Sequence, residues 1–95
     1  RLTEYFTNLM CHYYNDYYDR RYFMKCIAIY EAQGKFSRAA KLYEDQGKTD
    51  AEAGDVSTAI DNFRRAAEMY ETEDRPSAAT KNYEQVKLYF VSLYD

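Results

Sequence analysis

Glycine and proline are scarce in this sequence, whose 95 residues include three glycines and one proline. These residue types mark most tight turns, so their scarcity leaves little material for β-hairpins or for the glycine-rich loops that hold phosphate groups. Cysteine is scarce as well, with only Cys11 and Cys26. Two cysteines are too few for a disulfide-stapled secreted domain, and we expect both thiols to be reduced core residues of an intracellular, cytoplasmic protein.

The sequence also lacks a charge excess and a long apolar run. Its 13 basic and 16 acidic residues give a net charge of −3, which provides no overall attraction for nucleic acid or acidic lipid. The longest apolar runs, 26–30 and 88–91, are far shorter than the roughly 20 residues of a membrane-spanning helix. A chain this short has little room for a deep catalytic cavity, so we expect its function on a surface. We expect one helical-repeat region over residues 1–95 and, because the sequence does not begin with Met, a piece of a longer protein.

An internal repeat with a period of 20 residues is the strongest pattern in the sequence. Segments 34–39, 54–59 and 74–79 (GKFSRA, GDVSTA and DRPSAA) each contain Ser-x-Ala, and an aromatic residue follows each alanine by four positions. A small residue and an aromatic one turn later define one helix face, which the repeat predicts to lie between helices. The residues predicted to lie there are Phe23, Ala39, Tyr43, Ala59, Phe63, Ala79 and Tyr83.

The repeat predicts about five helices joined by short corners. The corners are predicted at Gly34, at Gly54-Asp55 and at Arg75-Pro76. The glycines can adopt the left-handed conformation that ends a helix, Asp55 can cap the following helix, and Pro76 suits a first helical turn. Consecutive helices with short corners pack antiparallel. The expected fold is therefore all-α, with antiparallel hairpins stacked as a solenoid of the tetratricopeptide (TPR) type.

Gly47 lies inside the third predicted helix and leaves two alternatives open. Glycine costs about 1 kcal/mol relative to alanine within a helix, so the helix could break there. Alternatively, Gly47 is the small residue over which a neighbouring helix crosses closely.

The central and later parts of the sequence resemble the soluble NSF attachment proteins (SNAPs) of the α/β type. The resemblance is carried by residues 59–70 (AIDNFRRAAEMY), 73–74 (ED) and 77–81 (SAATK), together with the earlier segments 28–30 (AIY), 34–36 (GKF) and 39–41 (AAK), and it covers residues 26–86. It implies a non-enzymatic adaptor that binds the four-helix SNARE bundle and recruits the ATPase NSF in vesicle-mediated membrane fusion and transport. The family's membrane-touching loop and ATPase-binding helices would lie in flanking sequence, which would allow peripheral association with membranes. The alternative is a generic TPR-type module that binds another peptide or helical partner.

Four basic residues are candidate partner contacts. The resemblance implies that Lys41 and Lys81 face the SNARE bundle. These residues are 40 positions apart, or two helices, and the same spacing relates Lys35 to Arg75. We expect the four to form a basic row in one layer of helices, complementary to an acidic partner surface.

Other chemistry is poorly supported. Cys11 and His12 are adjacent, so on a helix they point about 100° apart, and the sequence has no second Cys/His pair for a metal site. Nucleophile-elbow and nucleotide-binding motifs are also absent from the sequence. The tyrosine-rich segment 13–22 could stack nucleobases, but Asp16 and Asp19 would repel phosphate. We therefore predict no catalysis, no metal or other cofactor and no nucleic-acid partner.

Overall fold

The computed structural model of the protein describes residues 20–94. All its regular secondary structure is helical: α1 (Arg20–Ala32), α2 (Phe36–Glu52), α3 (Val56–Thr72) and α4 (Pro76–Tyr94). The prediction of an all-α repeat is confirmed in this part of the chain, and the first of the five predicted helices falls outside the described residues. Two compact units divide between Lys35 and Phe36, and each is described by itself. A single repeat region over the whole chain stays a prediction.

Each corner between helices is a three-residue turn that closes the preceding helix with the same two backbone hydrogen bonds. At the first corner, Lys35 N–H donates to the Tyr30 carbonyl at 2.8 Å and Gly34 N–H donates to the Glu31 carbonyl at 3.0 Å. This pair of bonds is a Schellman motif, which requires a left-handed residue, and Gly34 has a φ of 72°. The same motif recurs at the two later corners, so the corners follow the 20-residue period as closely as the helices do.

The third corner differs from the prediction in the residue that turns the chain. Asp74, not the Arg75-Pro76 pair, makes this turn, and its φ of 54° matches the positive φ of 85° at Gly54. Aspartate is among the few non-glycine residues that tolerate this conformation. Pro76 is the first residue of α4, as predicted. The predicted cap is also confirmed, since the Asp55 carboxylate accepts a hydrogen bond from Thr58 N–H at 3.3 Å.

Helix α1 buries one face. Its buried side chains are Phe23, Cys26, Ile27 and Tyr30, whose spacing of three to four residues follows the helical period. The burial predicted for Phe23 is confirmed. On the other side of the helix, the Lys25 ammonium lies 5.9 Å from the centre of the Tyr22 ring.

Helices α2, α3 and α4 form the second unit, and the close approach of α2 to α3 depends on Gly47. Helix α2 continues through Gly47 without a break, so the helix-breaking alternative is wrong. A Cβ atom at this position would lie 3.1 Å from Cε2 and Cζ of Phe63. Gly47 is therefore the small residue that admits the aromatic ring of the next helix. The Phe63 ring also stacks on Tyr89 of α4, with ring centres 5.8 Å apart.

The repeat face supplies five of the ten buried apolar residues that the structure describes in this unit. Ala39, Tyr43, Ala59, Phe63 and Ala79 are all buried, which confirms their predicted positions between helices. A compact cluster of Ala40, Tyr70 and Ala79 draws one residue from each of the three helices. Helices α2 and α4 thus come together on one side of α3.

Tyr83 was wrongly predicted to lie between helices. Its side chain is 39% exposed, whereas the equivalent Phe63 is 1% exposed. The reason is the number of neighbours, because Phe63 lies between α2 and α4, while among the described residues only α3 packs against α4 on the Tyr83 side. The Tyr83 hydroxyl donates a hydrogen bond to the Glu71 carboxylate of α3.

A buried polar group fixes the register of α2 against α3. The Asp50 carboxylate, 5% exposed, accepts a hydrogen bond from the Gln46 amide at 3.0 Å and another from the Asn62 amide of α3 at 2.8 Å. Buried carboxylates are tolerated when hydrogen bonds satisfy them. A slip of α2 along α3 would separate the Asp50 carboxylate from its donor on α3, the Asn62 amide.

Candidate partner-binding face

The surface where α2 and α4 lie side by side, with α3 beneath, is called here the α2–α4 face. Asn82 joins its two helices, since its amide nitrogen donates to Glu44 Oε2 at 2.8 Å and to the Ala78 carbonyl at 2.9 Å. Asn82 is 1% exposed and its carbonyl oxygen accepts no hydrogen bond from the described residues. The Glu44 carboxylate is therefore held at the junction of the two helices.

Lys41 projects from α2 and forms ion pairs with carboxylates of the same helix. Its ammonium lies 3.3 Å from Glu44 Oε1 and 3.3 Å from Asp45 Oδ1. Partial burial lowers the pKa of Lys41, but the nearby Asp45 and Glu44 carboxylates outweigh that effect and hold the pKa above its ordinary value. With 56% of its side chain exposed, Lys41 reaches solvent as a partly neutralised cation.

The other three predicted basic residues have different surroundings. Lys81 and Arg75 are exposed in the second unit, and neither side chain forms an ion pair with another described residue. Lys81 lies on the α2–α4 face, and Arg75 is in the corner that leads into α4. Lys35 ends the first unit, so its place in a row with the others stays a prediction. The acidic residues Glu44 and Asp45 interrupt the predicted row.

A cleft of about 430 Å3 opens on the α2–α4 face. Its walls are Glu44 and Lys48 from α2 and Lys81, Asn82, Glu84 and Gln85 from α4, and the Phe63 ring of α3 also lines it. Like Lys81, Lys48 is exposed and forms no ion pair with another described residue. The cleft thus presents two ammonium groups that form no ion pair with another described residue, above the buried Phe63 ring.

Sequence reasoning missed Lys48, because the search for matched charges used the 40-residue period. That period relates Lys48 to Leu88, which is not a cation. Lys48 and Lys81 line the same cleft from two helices, a relation that only the packing of α2 beside α4 creates. Glu84 and Gln85 carried no sequence signal either, since polar residues are expected on any exposed helix face.

The chemistry of this face is that of reversible binding. Its ammonium, carboxylate and amide groups can hold charged and polar side chains of a partner. Within residues 20–94, no three His, Cys, Asp or Glu residues are grouped suitably for a metal ion, and no helix could span a membrane. Cys11 and His12 fall outside the described residues.

Comparison with known proteins gives one match. The family model described as soluble NSF attachment protein, SNAP, matches residues 10–93. This match covers the first three described helices, α4 except for its last residue, and the α2–α4 face. No curated protein and no solved structure matches the chain significantly.

Proposed function

This chain belongs to the soluble NSF attachment protein family, and from that premise we propose that it is an adaptor that binds the four-helix SNARE bundle. The bundle is recognised at the α2–α4 face, and the bound adaptor recruits the NSF-type ATPase that dismantles the bundle. The chain acts by binding and carries out no chemical step itself. This role places it in the cytoplasm, at the surface of membranes that hold SNARE proteins.

The observation that carries the proposal is the set of exposed cations on adjacent helices of one face. Lys41 and Lys81 project from α2 and α4, and Lys48 lies nearby on α2. A helical bundle with acidic residues along its surface would meet these cations across two helices at once. Charge complementarity of this kind orients docking and speeds encounter, although each exposed pair adds little affinity.

Reversing Lys41 and Lys81 to glutamate tests the proposed face. Two attractions become two repulsions, so affinity for the assembled bundle should fall by about 1–3 kcal/mol, or roughly 5–150-fold. The matched control reverses Arg65 and Lys87, which are exposed, form no ion pair with another described residue and do not line the cleft. The control changes the net charge equally and should reduce affinity much less. Equal losses in the two variants would attribute the effect to net charge alone.

The competing function is that of a TPR-type module that binds peptides. The two functions differ in the ligand that the chain should prefer. An adaptor for assembled bundles should retain the complete four-helix bundle and bind its single strands weakly. A peptide-binding groove should prefer an isolated extended strand. Binding of single strands in preference to the bundle would contradict the proposed function.

The salt dependence of binding provides a second check. Raising ionic strength from about 50 to 200 mM shortens the screening length and weakens attraction between exposed charges. The affinity of the native chain should fall with salt, and the difference from the Lys41/Lys81 variant should narrow. A salt-independent affinity would show that these exposed cations contribute nothing to docking.

A further inference from the structure

We propose that the cleft on the α2–α4 face is a clamp for one acidic side chain of the partner, with Lys48 and Lys81 as its two jaws. The inference rests on the proposed function only for the identity of the partner. The chemistry that the clamp recognises is a carboxylate presented on a helix surface. Lys48 is then a specificity-determining residue outside the basic row predicted from the sequence.

The ammonium groups of Lys48 and Lys81 are both free to bind a partner carboxylate. Lys48 and Lys81 line one cleft from different helices, and neither forms an ion pair or hydrogen bond with another described residue. Lysine side chains are long and flexible, so both can turn toward a shared anion. A carboxylate offers two oxygens and can accept hydrogen bonds from both ammonium groups at once.

One of the two carboxylates in the cleft, that of Glu44, is already hydrogen-bonded to other groups. Glu44 accepts hydrogen bonds from the Asn82 amide at 2.8 Å and from the Lys41 ammonium at 3.3 Å. These bonds hold Glu44 at the junction of α2 and α4, and no ion pair joins it to Lys48 or Lys81. Lys41 takes part in the same arrangement: it helps to hold Glu44 and, with 56% of its side chain exposed, still reaches solvent.

The charged groups that line the cleft differ in whether they already have partners. The uncommitted charged groups of the lining are the ammonium groups of Lys48 and Lys81 and the carboxylate of Glu84. With Glu44 included, the lining holds two ammonium groups and two carboxylates, so the cleft has no excess of positive charge and the proposed attraction is local to the ammonium groups of Lys48 and Lys81. Glu84 opposes an incoming anion, so it limits the affinity of the clamp.

The test measures binding of the native 95-residue chain and three single variants to an assembled SNARE bundle. Lys48→Gln removes one jaw and should weaken binding by about three- to tenfold, as expected for one partly solvated charge pair. Lys87→Gln makes the same change on α4, about 120° around the helix from Lys81, and should have little effect. Glu84→Gln removes the opposing carboxylate and should strengthen binding. All three positions are exposed, so the melting temperatures should match that of the native chain.

A second probe keeps the inference independent of the partner's identity. A short polyglutamate peptide is titrated against the same four proteins, and the side-chain amide signals of Asn82 and Gln85 are followed by NMR. These signals should shift in the native chain and in Lys87→Gln, and should stay nearly fixed in Lys48→Gln.

The outcomes separate the two proposals. If the bundle binds Lys48→Gln as tightly as the native chain, the clamp is wrong while the adaptor function stands. If the bundle does not bind but polyglutamate shifts the two amides in a Lys48-dependent way, the clamp is supported and the SNARE bundle is the wrong partner. If neither probe distinguishes Lys48→Gln from Lys87→Gln, the clamp is overturned.

Discussion

The contact between Gly47 and Phe63 predicts that Gly47→Ala has opposite effects on the free energy of unfolding in the presence and in the absence of the Phe63 ring. Replacing Gly47 by alanine in a helix interior should stabilise the protein by about 1 kcal/mol through helix propensity. In the native chain the added Cβ would lie 3.1 Å from two atoms of the Phe63 ring. That ring is 1% exposed and stacked on Tyr89, so it has little freedom to withdraw.

The magnitude follows from these opposing effects. Overpacking a well-packed core costs about 1–3 kcal/mol. Set against the gain in propensity, Gly47→Ala should lower the free energy of unfolding of the native chain by about 0–2 kcal/mol. In a Phe63→Leu background the two closest ring atoms, Cε2 and Cζ, are absent, so the same substitution should raise the free energy of unfolding by about 1 kcal/mol.

A double-mutant cycle measures this difference by urea denaturation followed by far-ultraviolet circular dichroism. The coupling between the two sites should be about 1–3 kcal/mol, within the range seen for residues in contact. The Phe63→Leu chain serves as the matched control, because it carries the same glycine in the same helix without the ring. If Gly47→Ala stabilised both backgrounds equally, the close approach of α2 to α3 at Gly47 would be refuted.

Three further predictions concern the corner, the polar group and the exposed tyrosine. Asp74→Gly should raise the free energy of unfolding by about 0.5–1 kcal/mol, because glycine removes the strain of a positive φ; an unchanged urea midpoint would contradict this. Asp50→Asn should lower the free energy of unfolding by about 1–3 kcal/mol, because one of the two carboxylate oxygens becomes an NH2 group that faces a neighbouring amide donor. A change below experimental error would show that Asp50 does not fix the register of the two helices. The hydrogen bond to the Glu71 carboxylate raises the pKa of Tyr83 to about 12. The stabilising effect of this hydrogen bond should be complete below the ordinary tyrosine pKa of about 10 and should disappear as pH rises through about 12. The difference between the ultraviolet titrations of the native chain and of Tyr83→Phe measures the pKa of Tyr83, and Glu71→Gln should lower that pKa.

The helical class and the positions of the corners could be predicted because they depend on local chain chemistry. Glycine needs no tertiary contact to favour a positive φ, and Asp55 caps the helix that directly follows it. The third corner was harder to predict, because Asp74 indicates the end of a helix only weakly, whereas the neighbouring Pro76 is a strong sign of a helix boundary. The 20-residue period aligns position 74 with Gly34 and Gly54, but aspartate adopts a positive φ less readily than glycine and is therefore a weaker sign of a helix end.

The core residues could be predicted where other helices cover the repeat face. Ala39, Tyr43, Ala59, Phe63 and Ala79 are buried as expected, but Tyr83 is not. A periodic pattern indicates which face of a helix is apolar without indicating what covers that face. The number of neighbouring helices is a property of the tertiary structure.

By itself, the sequence determined the helical repeat, its 20-residue period and the small and aromatic residues by which successive helices meet. The pairing of Lys41 with Glu44 and Asp45 is local, since these residues follow it by three and four positions on one helix. Tertiary structure alone decided which charged and polar groups of different helices lie together. The state of a charge depends on the groups within a few ångströms of it. Asn82 and Glu44 come together only when α2 and α4 pack side by side, and that packing also places Lys48 in the same cleft as Lys81.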